Sequence, residues 1–250
     1  MWWLMACVVH IPNEGHGDGW QLRHLTVGEG LSGLTVDGEG ELWSVAERPG
    51  ELVRLSDNHR VPLNLPGEPE SLAWSATGFW IGTEQPHPRT EDILVRVSNE
   101  GDILEQRTYV YEGVTPKPNH GLEGICIRGD SVVVAGEDAR PGRDAPIAHV
   151  PGDTDWLRLH SETGKVSALA CTQTHVYAIE RHYEVLHLLR APWSDLSEST
   201  VIPVPEGARG TKVNYEGLAL QDGRALLLSD NQGATVDGPT LLLSLELPQN

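Results

Sequence analysis

Residues 214–230 read NYEGLALQDGRALLLSD, a Glu-Gly-Leu start followed by apolar residues and a closing acid. Weaker versions of this pattern recur four more times along the 250-residue chain. The starts are Ser32-Gly33-Leu34, Glu70-Ser71-Leu72, Glu123-Gly124-Ile125, Ser167-Ala168-Leu169 and Glu216-Gly217-Leu218, and the closing acids are Glu47, Glu84, Glu137, Glu180 and Asp230. Because each start and its acid enclose two short apolar runs, every repeat predicts a β-hairpin.

The repeat spacing predicts how the hairpins are arranged. Starts that recur every roughly 40 to 50 residues, with β-like runs between them, are typical of propeller blades and exclude a solenoid of helical pairs. We therefore predict an all-β fold, a β-propeller with five blades, or six if Met1–Ile11 or residues 103–122 contribute a further blade. The last repeat stops after Thr240–Leu247, one strand short, so we expect the N-terminal segment Trp20–Val27 to close the ring.

The domain boundary is expected near residue 20. Residues 20–250 form a single propeller domain, and residues 1–19 are an N-terminal extension or the remnant of a targeting segment. Met1–Val9 is apolar but lacks the basic region of a secretory signal. Leu4-Met5-Ala6-Cys7 loosely resembles a lipoprotein processing site, and the alternatives are an extra strand or a start codon placed too late. No apolar stretch approaches the roughly 20 residues of a spanning helix.

The net charge limits the kinds of binding partner, and the cysteine content limits the kinds of disulfide and metal site. The formal net charge of −18 argues against nucleic acid, which needs clustered Lys and Arg, and disfavours an anionic membrane surface. Cys7, Cys126 and Cys171 are too few and too scattered for a disulfide framework, and they lack the spacing of a zinc site. Because Cys126 and Cys171 lie inside apolar runs, we predict that they are core thiols.

The acids that bracket each hairpin predict a metal site. An antiparallel hairpin returns to its starting point, so its first and last acids should lie about 5 Å apart. Two such charges repel by roughly 3 kcal/mol at an effective dielectric of 20, which a proton, an arginine or a divalent cation must offset. Oxygen ligands without cysteine favour Ca²⁺ before Mg²⁺. The predicted ligands are Glu47, Glu70, Glu84, Glu123, Glu137, Glu180, Glu216 and Asp230, with the ion toward Glu123/Glu137 and Glu216/Asp230.

A structural role for the same acids is the alternative interpretation. Acids at the ends of inner strands can hydrogen-bond neighbouring backbone amides and connect one blade to the next. The two interpretations are compatible, because a cation in the channel can itself be structural.

Several passages resemble the "esterase-like activity of phytase" family, a β-propeller group. They are Asn119-His120-Gly121-Leu122-Glu123-Gly124, Glu180-Arg181, Asn214–Leu218 with Leu228-Ser229-Asp230-Asn231, and Glu70–Leu72 with Thr83-Glu84. With Ser32-Gly33-Leu34, they cover about residues 30–247. The resemblance implies a propeller and a metal-assisted hydrolase of phosphate or other esters, often exported to the periplasm or the extracellular space. The chain departs from the pattern in its short length, its incomplete signal peptide and Ser71 at a usual glycine position.

The resemblance and the neighbouring bases suggest further site residues. Arg48 and Arg181 directly follow two of the acids and, with Asn231, are predicted to bind a small anionic or ester substrate. His120 is the best-placed residue for acid–base catalysis. The sequence has no Gly-x-Ser-x-Gly elbow, His-Glu-x-x-His motif or P-loop. The remaining alternatives are a lactonase-type Ca²⁺-dependent hydrolase and a non-catalytic propeller that binds a ligand or partner, and a monomer is expected.

Overall fold

The computed structural model describes residues 12–28, 30–86, 88, 90–110, 121–136, 144–150, 157–182, 185–209, 213–230 and 239–248. Nearly all regular structure in these residues is β-strand. The exceptions are a 3₁₀ turn at Leu196–Glu198 and a short α-helix, α1, at Glu206–Arg209. None of the helices in these ranges has the length and apolar character needed to cross a membrane.

The described strands form five antiparallel sheets. Sheet one contains β3 (Leu31–Val36), β4 (Leu42–Ala46), β5 (Glu51–Arg54) and β6 (His59–Pro62). Sheet two contains β7 (Glu68–Ser75), β8 (Gly78–Glu84), β9 (Glu91–Val97) and β10 (Ile103–Val110). Sheet three contains β11 (Gly124–Arg128), β12 (Ser131–Ala135), β13 (Ala145–Val150) and β14 (Leu157–Leu159).

The last two sheets lie toward the C-terminus. Sheet four contains β15 (Val166–Cys171), β16 (His175–His182), β17 (Val185–Pro192) and β18 (Thr200–Ile202). Sheet five contains β19 (Asn214–Gln221), β20 (Arg224–Asp230) and β21 (Thr240–Glu246), together with β1 (Gly15–Gly17) and β2 (Trp20–Leu25) from the start of the chain.

The first strand of every repeat is the inner strand of its sheet. Each inner strand contacts the next, in the order β3, β7, β11, β15 and β19, and β19 contacts β3 again. Residues from the middle to the C-terminal ends of these five strands surround a central cavity of about 160 Å³. This closed ring of sheets around a channel is a β-propeller, and it confirms the predicted all-β propeller class.

The ring is closed by the N-terminal strand. β2 pairs with β21 from Trp20 opposite Leu245 to Leu25 opposite Thr240. This pairing covers the exposed edge of β21, as the sequence predicted. β1 adds a short outer strand from a segment that the sequence analysis assigned to an extension, whereas Met1–Ile11 lies outside the described residues.

Close packing of the inner strands explains the Gly-Leu part of the motif. Gly33 has a φ of +65°, and a Cβ atom there would lie 2.5 Å from the backbone nitrogen of Leu72. A Cβ atom on Gly217 would lie 2.8 Å from Cβ of Leu34. Only a residue without a side chain permits this approach, and the following leucine then fills the core between two sheets, as Leu34 does beside Leu228.

Serine replaces glycine or acid where a hydrogen bond joins two sheets. Ser71 Oγ donates to the carbonyl oxygen of Leu122 at 2.5 Å, and Ser167 Oγ donates to that of Tyr215 at 2.8 Å. Each bond crosses from one sheet to the next: Ser71 connects sheets two and three, and Ser167 connects sheets four and five.

The prediction of two core thiols was wrong. Cys126 on β11 and Cys171 on β15 form a disulfide, with their Cα atoms 5.6 Å apart. They are 45 residues apart in the chain, but packing of neighbouring inner strands brings them together. The sequence contained no sign of this pairing, because it depends on the ring arrangement.

Candidate functional site

A β-bulge redirects Glu216 out of the regular pairing of sheet five. The register of β19 against β20 shifts between Tyr215 and Gly217, which leaves Glu216 without a cross-strand partner. Asp230 instead lies opposite Asn214. The prediction that Glu216 and Asp230 are directly paired was therefore wrong in register, since the extra residue turns the Glu216 side chain away from the sheet.

A similar β-bulge occurs in sheet two. The β7–β8 register shifts between Pro69 and Ser71, so Glu70 is the unpaired residue, and Glu84 lies opposite Glu68 rather than opposite Glu70. Bulges are frequent next to binding sites because they re-aim a side chain without ending the strand. The repeated bulge therefore places the first acid of a repeat toward the ring axis.

Three of the eight predicted ligands come together. Glu47, Glu216 and Asp230 each contribute one carboxylate oxygen, and these three oxygens lie within 4.8 Å of one another. Glu47 and Asp230 are 8% and 4% exposed. Ser32 Oγ is 2.6 Å from an oxygen of Glu47 and 3.3 Å from one of Glu216, so this hydroxyl lies between the two carboxylates and donates its proton chiefly to Glu47. We call Glu47, Glu216 and Asp230 the acid triad.

Asn214 supplies a further oxygen that the sequence analysis did not identify. Its amide nitrogen donates to Glu216, whereas its Oδ1 atom is buried and accepts no hydrogen bond from any described residue. An unpaired buried carbonyl oxygen beside carboxylates matches the ligand preference of a hard cation. Asn214 belongs to the NYEGL motif, but its position beside the triad follows from its register opposite Asp230.

Glu70, Glu84 and Glu123 form a neighbouring acidic group. A Cβ atom on Gly121 would lie 3.0 Å from Cβ of Glu84 and 3.4 Å from Cγ of Glu70. Glu123 accepts a hydrogen bond from the backbone nitrogen of Gly121 at 3.1 Å. We call these three acids together with the acid triad the acidic mouth.

Burial and mutual repulsion favour the protonated forms of Glu47, Glu70 and Glu216 when no cation is bound. Burial raises the pKa of Glu47 to about 7; the hydrogen bond from Ser32 opposes this increase, and the charge of Glu216 adds a smaller one. Burial raises the pKa of Glu70 well above its usual value, and repulsion from Glu123 adds to it. Burial also raises the pKa of Glu216, against the opposing charge of Arg181.

Sheet four contributes positive charge to this acidic environment. Arg181 and Lys165 both act to lower the pKa of Glu216, which places them near the triad. The backbone nitrogen of Arg181 donates to the carbonyl oxygen of Lys165 at 3.2 Å. Arg181 was predicted from the sequence, whereas Lys165 was not, because the hairpin that joins β15 and β16 brings it beside Arg181.

Arg48 is oriented differently from Arg181. Its guanidinium makes two hydrogen bonds to Glu68, at 2.6 and 3.1 Å, and the Arg48 side chain is 80% exposed. The structure thus brings Arg181 toward the triad and places Arg48 in a surface ion pair. Substrate binding by either arginine stays a prediction.

Both carboxylate oxygens of Glu180 lie within hydrogen-bond distance of other residues. One accepts hydrogen bonds from the backbone nitrogen and the hydroxyl of Thr163, at 2.5 and 2.9 Å, and the other lies 3.0 Å from Nδ1 of His187. The Glu180 side chain is fully buried. These contacts secure the turn that precedes β15, so Glu180 has a structural role whether or not it also acts as a ligand.

Three predicted site residues lie outside the described residues. They are His120, Glu137 and Asn231. Their predicted roles, in acid–base catalysis, metal binding and substrate binding respectively, stay predictions.

The raised pKa values predict an unusual dependence of stability on pH. Between about pH 4.5 and pH 7 the folded, cation-free protein binds more protons than the unfolded chain, because the Glu47 pKa rises from 4.5 to about 7. The free energy of unfolding should therefore fall as pH rises through this window, by on the order of 3 kcal/mol from Glu47 alone. Glu70 and Glu216 act in the same direction.

Thermal unfolding from pH 4.5 to 8 in EDTA measures this effect. Glu47→Gln should flatten the dependence of stability on pH. Ca²⁺ should restore stability chiefly at the alkaline end, where Glu47 is ionised. An unfolding temperature that rises between pH 5 and pH 7 without a cation would contradict the prediction.

Comparison with solved structures supports the propeller class. The glutaminyl cyclase of Myxococcus xanthus superposes with a TM-score of 0.59 at 16% identity, covering 96% of this chain and 98% of that one. A chain of a nidogen/laminin complex gives 0.55 at 9% identity, with 96% and 98% covered. The PQQ-bound aldose sugar dehydrogenase of Streptomyces coelicolor gives 0.54 at 11% identity, with 94% and 100% covered.

These similarities define the fold alone. At such identities a shared architecture does not carry a shared activity, and the three structures include both enzymes and a protein complex. No protein-family model matches the chain, and no curated protein matches its sequence. The function must therefore be argued from the acidic mouth itself.

Proposed function

We propose that this β-propeller is a Ca²⁺-dependent hydrolase of phosphate or other esters that acts at the acidic mouth. The observation that carries the proposal is the acid triad, whose three carboxylate oxygens lie within 4.8 Å of one another. Carboxylates this close are favourable only when protons or a cation compensate their repulsion. The resemblance of the surrounding motifs to the esterase-like phytase family agrees with this chemistry.

The donor set fits a hard divalent cation. The triad supplies three carboxylates, and Asn214 supplies a buried carbonyl oxygen. Among the described residues, no donor reaches this oxygen and no cysteine or histidine belongs to the group. Such oxygen ligands match Ca²⁺ better than zinc or copper. A bound divalent cation supplies Lewis acidity toward an ester oxygen and lowers the pKa of bound water.

The chain's own residues orient the reactants. Ser32 bridges Glu47 and Glu216 and fixes their relative position. Asn214 donates to Glu216 and sets the direction of its carboxylate. The charge of Arg181 acts on Glu216, and in this proposal its guanidinium pairs with two oxygens of a negatively charged substrate group.

Activity measurements on a broad substrate panel test the proposal. Metal-depleted protein is assayed with and without added Ca²⁺ on aryl phosphates, aryl carboxyl esters and lactones. Added Ca²⁺ should increase the hydrolysis rate of at least one of these substrates about tenfold or more. Glu216→Gln should lose the stimulation, whereas Glu198→Gln, which removes an exposed acid of the 3₁₀ turn, should keep it. Activity confined to lactones would favour the lactonase alternative.

A non-catalytic propeller is the second candidate, and one observation favours it. Glu180 and Glu123 are engaged by groups of the protein, Thr163 and His187 in one case and the Gly121 amide in the other. Acids with such contacts can stabilise the ring of sheets without taking part in a catalysed reaction. Protein that binds Ca²⁺ tightly but hydrolyses none of the three substrate classes would support this candidate and overturn the hydrolase proposal.

A further inference from the structure

Strand β10 differs in length from the other outer strands of the propeller. It is the last strand of sheet two, and no described strand pairs with its outer side. β10 contains eight residues, whereas the outer strands β1, β6, β14 and β18 contain only three or four. Short outer strands limit pairing between chains, because they expose few backbone N–H and C=O groups. Among the described outer strands, β10 therefore presents the longest row of such groups.

The sequence of β10 lacks the residues that usually protect a strand edge. Residues 103–110 read ILEQRTYV and include neither proline nor lysine. The bulge in the pairing with β9 is confined to the start, between Ile103 and Glu105, and the register is regular from there to Val110. Ile103 and Leu104 are 40% and 49% exposed, two of the four large hydrophobic side chains exposed in the described ranges. The edge is thus open to pairing and partly apolar.

The charges of β10 suit pairing with a second copy of the same strand. Glu105 and Arg107 lie on one face of β10, on either side of Gln106, and their side chains approach to 2.6 Å. In an antiparallel pair of β10 strands centred on Gln106, each Glu105 lies opposite the Arg107 of the other copy. Centring the pair on either charged residue would instead place two like charges opposite each other. The charge pattern therefore favours the register centred on Gln106.

We propose that β10 is a dimerisation edge, at which two copies of the chain join by antiparallel pairing of their β10 strands. Backbone hydrogen bonds supply the attraction, and Glu105 and Arg107 set the register. The far end of each strand covers the exposed Ile103 and Leu104 of the other copy. Because a contact along one strand is small, the dimer should form reversibly, at roughly micromolar protein concentrations. The acidic mouth stays open, since β10 lies at the opposite side of sheet two from the inner strand β7.

Sedimentation equilibrium over about 1–500 µM protein tests this proposal. The buffer contains about 0.15 M salt, which screens the repulsion between two chains of net charge −18. Wild type should show a monomer–dimer equilibrium. Gln106→Lys places two positive charges opposite each other at the two-fold axis and should weaken self-association about tenfold or more, and Gln106→Glu should do the same with two negative charges. An equal mixture of these variants should restore association, because the introduced charges then have opposite signs.

Val201→Lys is the matched control. It adds the same charge to β18, an outer strand on which Val201 is 51% exposed, and it should leave self-association unchanged. Gln106 is also exposed, so thermal unfolding should show that both lysine variants are about as stable as wild type. Wild type that stays monomeric over the whole range would overturn the proposal. A dimer that Gln106→Lys leaves intact, that Val201→Lys weakens equally, or that the mixture fails to restore would also overturn it.

Discussion

Glu216→Gln should reduce Ca²⁺ affinity about 100-fold or more, whereas Glu123→Gln should reduce it only a few-fold. Glu216 belongs to the acid triad and Glu123 does not. Glutamine preserves the shape and the acceptor for the Asn214 amide, so the charge at the ligand position is the main change. At Glu123 the lost charge acts from a greater distance and is partly screened by solvent.

Calorimetry or terbium luminescence at pH 8 measures both affinities. At this pH Glu47 is largely ionised, since its pKa is about 7. Thermal unfolding without a cation shows whether each variant is folded, and removal of a repelling carboxylate should leave both at least as stable as wild type. Equal affinities in wild type and the two variants would rule out the triad as the cation site.

Gly33→Ala should destabilise the protein by about 3–5 kcal/mol, through two separate effects. The φ of +65° at Gly33 costs an alanine about 1–2 kcal/mol. Its new Cβ atom would also lie 2.5 Å from the Leu72 nitrogen and 3.0 Å from the Ser71 carbonyl carbon. These are backbone atoms of the next inner strand, so relief requires the two sheets to separate.

Gly129→Ala is the matched control for this prediction. Gly129 has a similar φ of +60°, but nothing lies within 4 Å of the position that its Cβ atom would occupy. The Gly129→Ala variant should lose only this backbone contribution of about 1–2 kcal/mol. For a chain of this size the unfolding temperature should fall by roughly 10 °C in Gly33→Ala and about 3 °C in Gly129→Ala. Similar losses in both variants would show that the inner strands tolerate the extra atom.

The repeat made the fold predictable from the sequence. The apolar runs and closing acids predicted the hairpin that opens each repeat, and all five of these hairpins are present. The missing last strand predicted the pairing of β2 with β21. These features were readable because they depend on local pattern and on the need to cover a strand edge.

The sequence predicted which acids lie near the site, but not which of them come together. The eight acids marked where the strands of each repeat meet, yet they could not show that Glu47 joins Glu216 and Asp230 across the contact of sheets one and five. Bulges at Glu70 and Glu216 changed which residues face each other. A bulge adds one residue to a strand, and several positions accommodate it equally well until neighbouring strands are in place.

By itself, the sequence determined that this protein is a ring of β-hairpins with acids gathered where each hairpin begins and ends, because strand periodicity and turn chemistry are local properties. Only the tertiary structure decided which acids meet, that Arg48 pairs with Glu68 while Lys165 joins Arg181 near Glu216, and that Cys126 reaches Cys171. Those contacts join residues distant in the chain. They arise when the ring closes and inner strands from different repeats pack side by side.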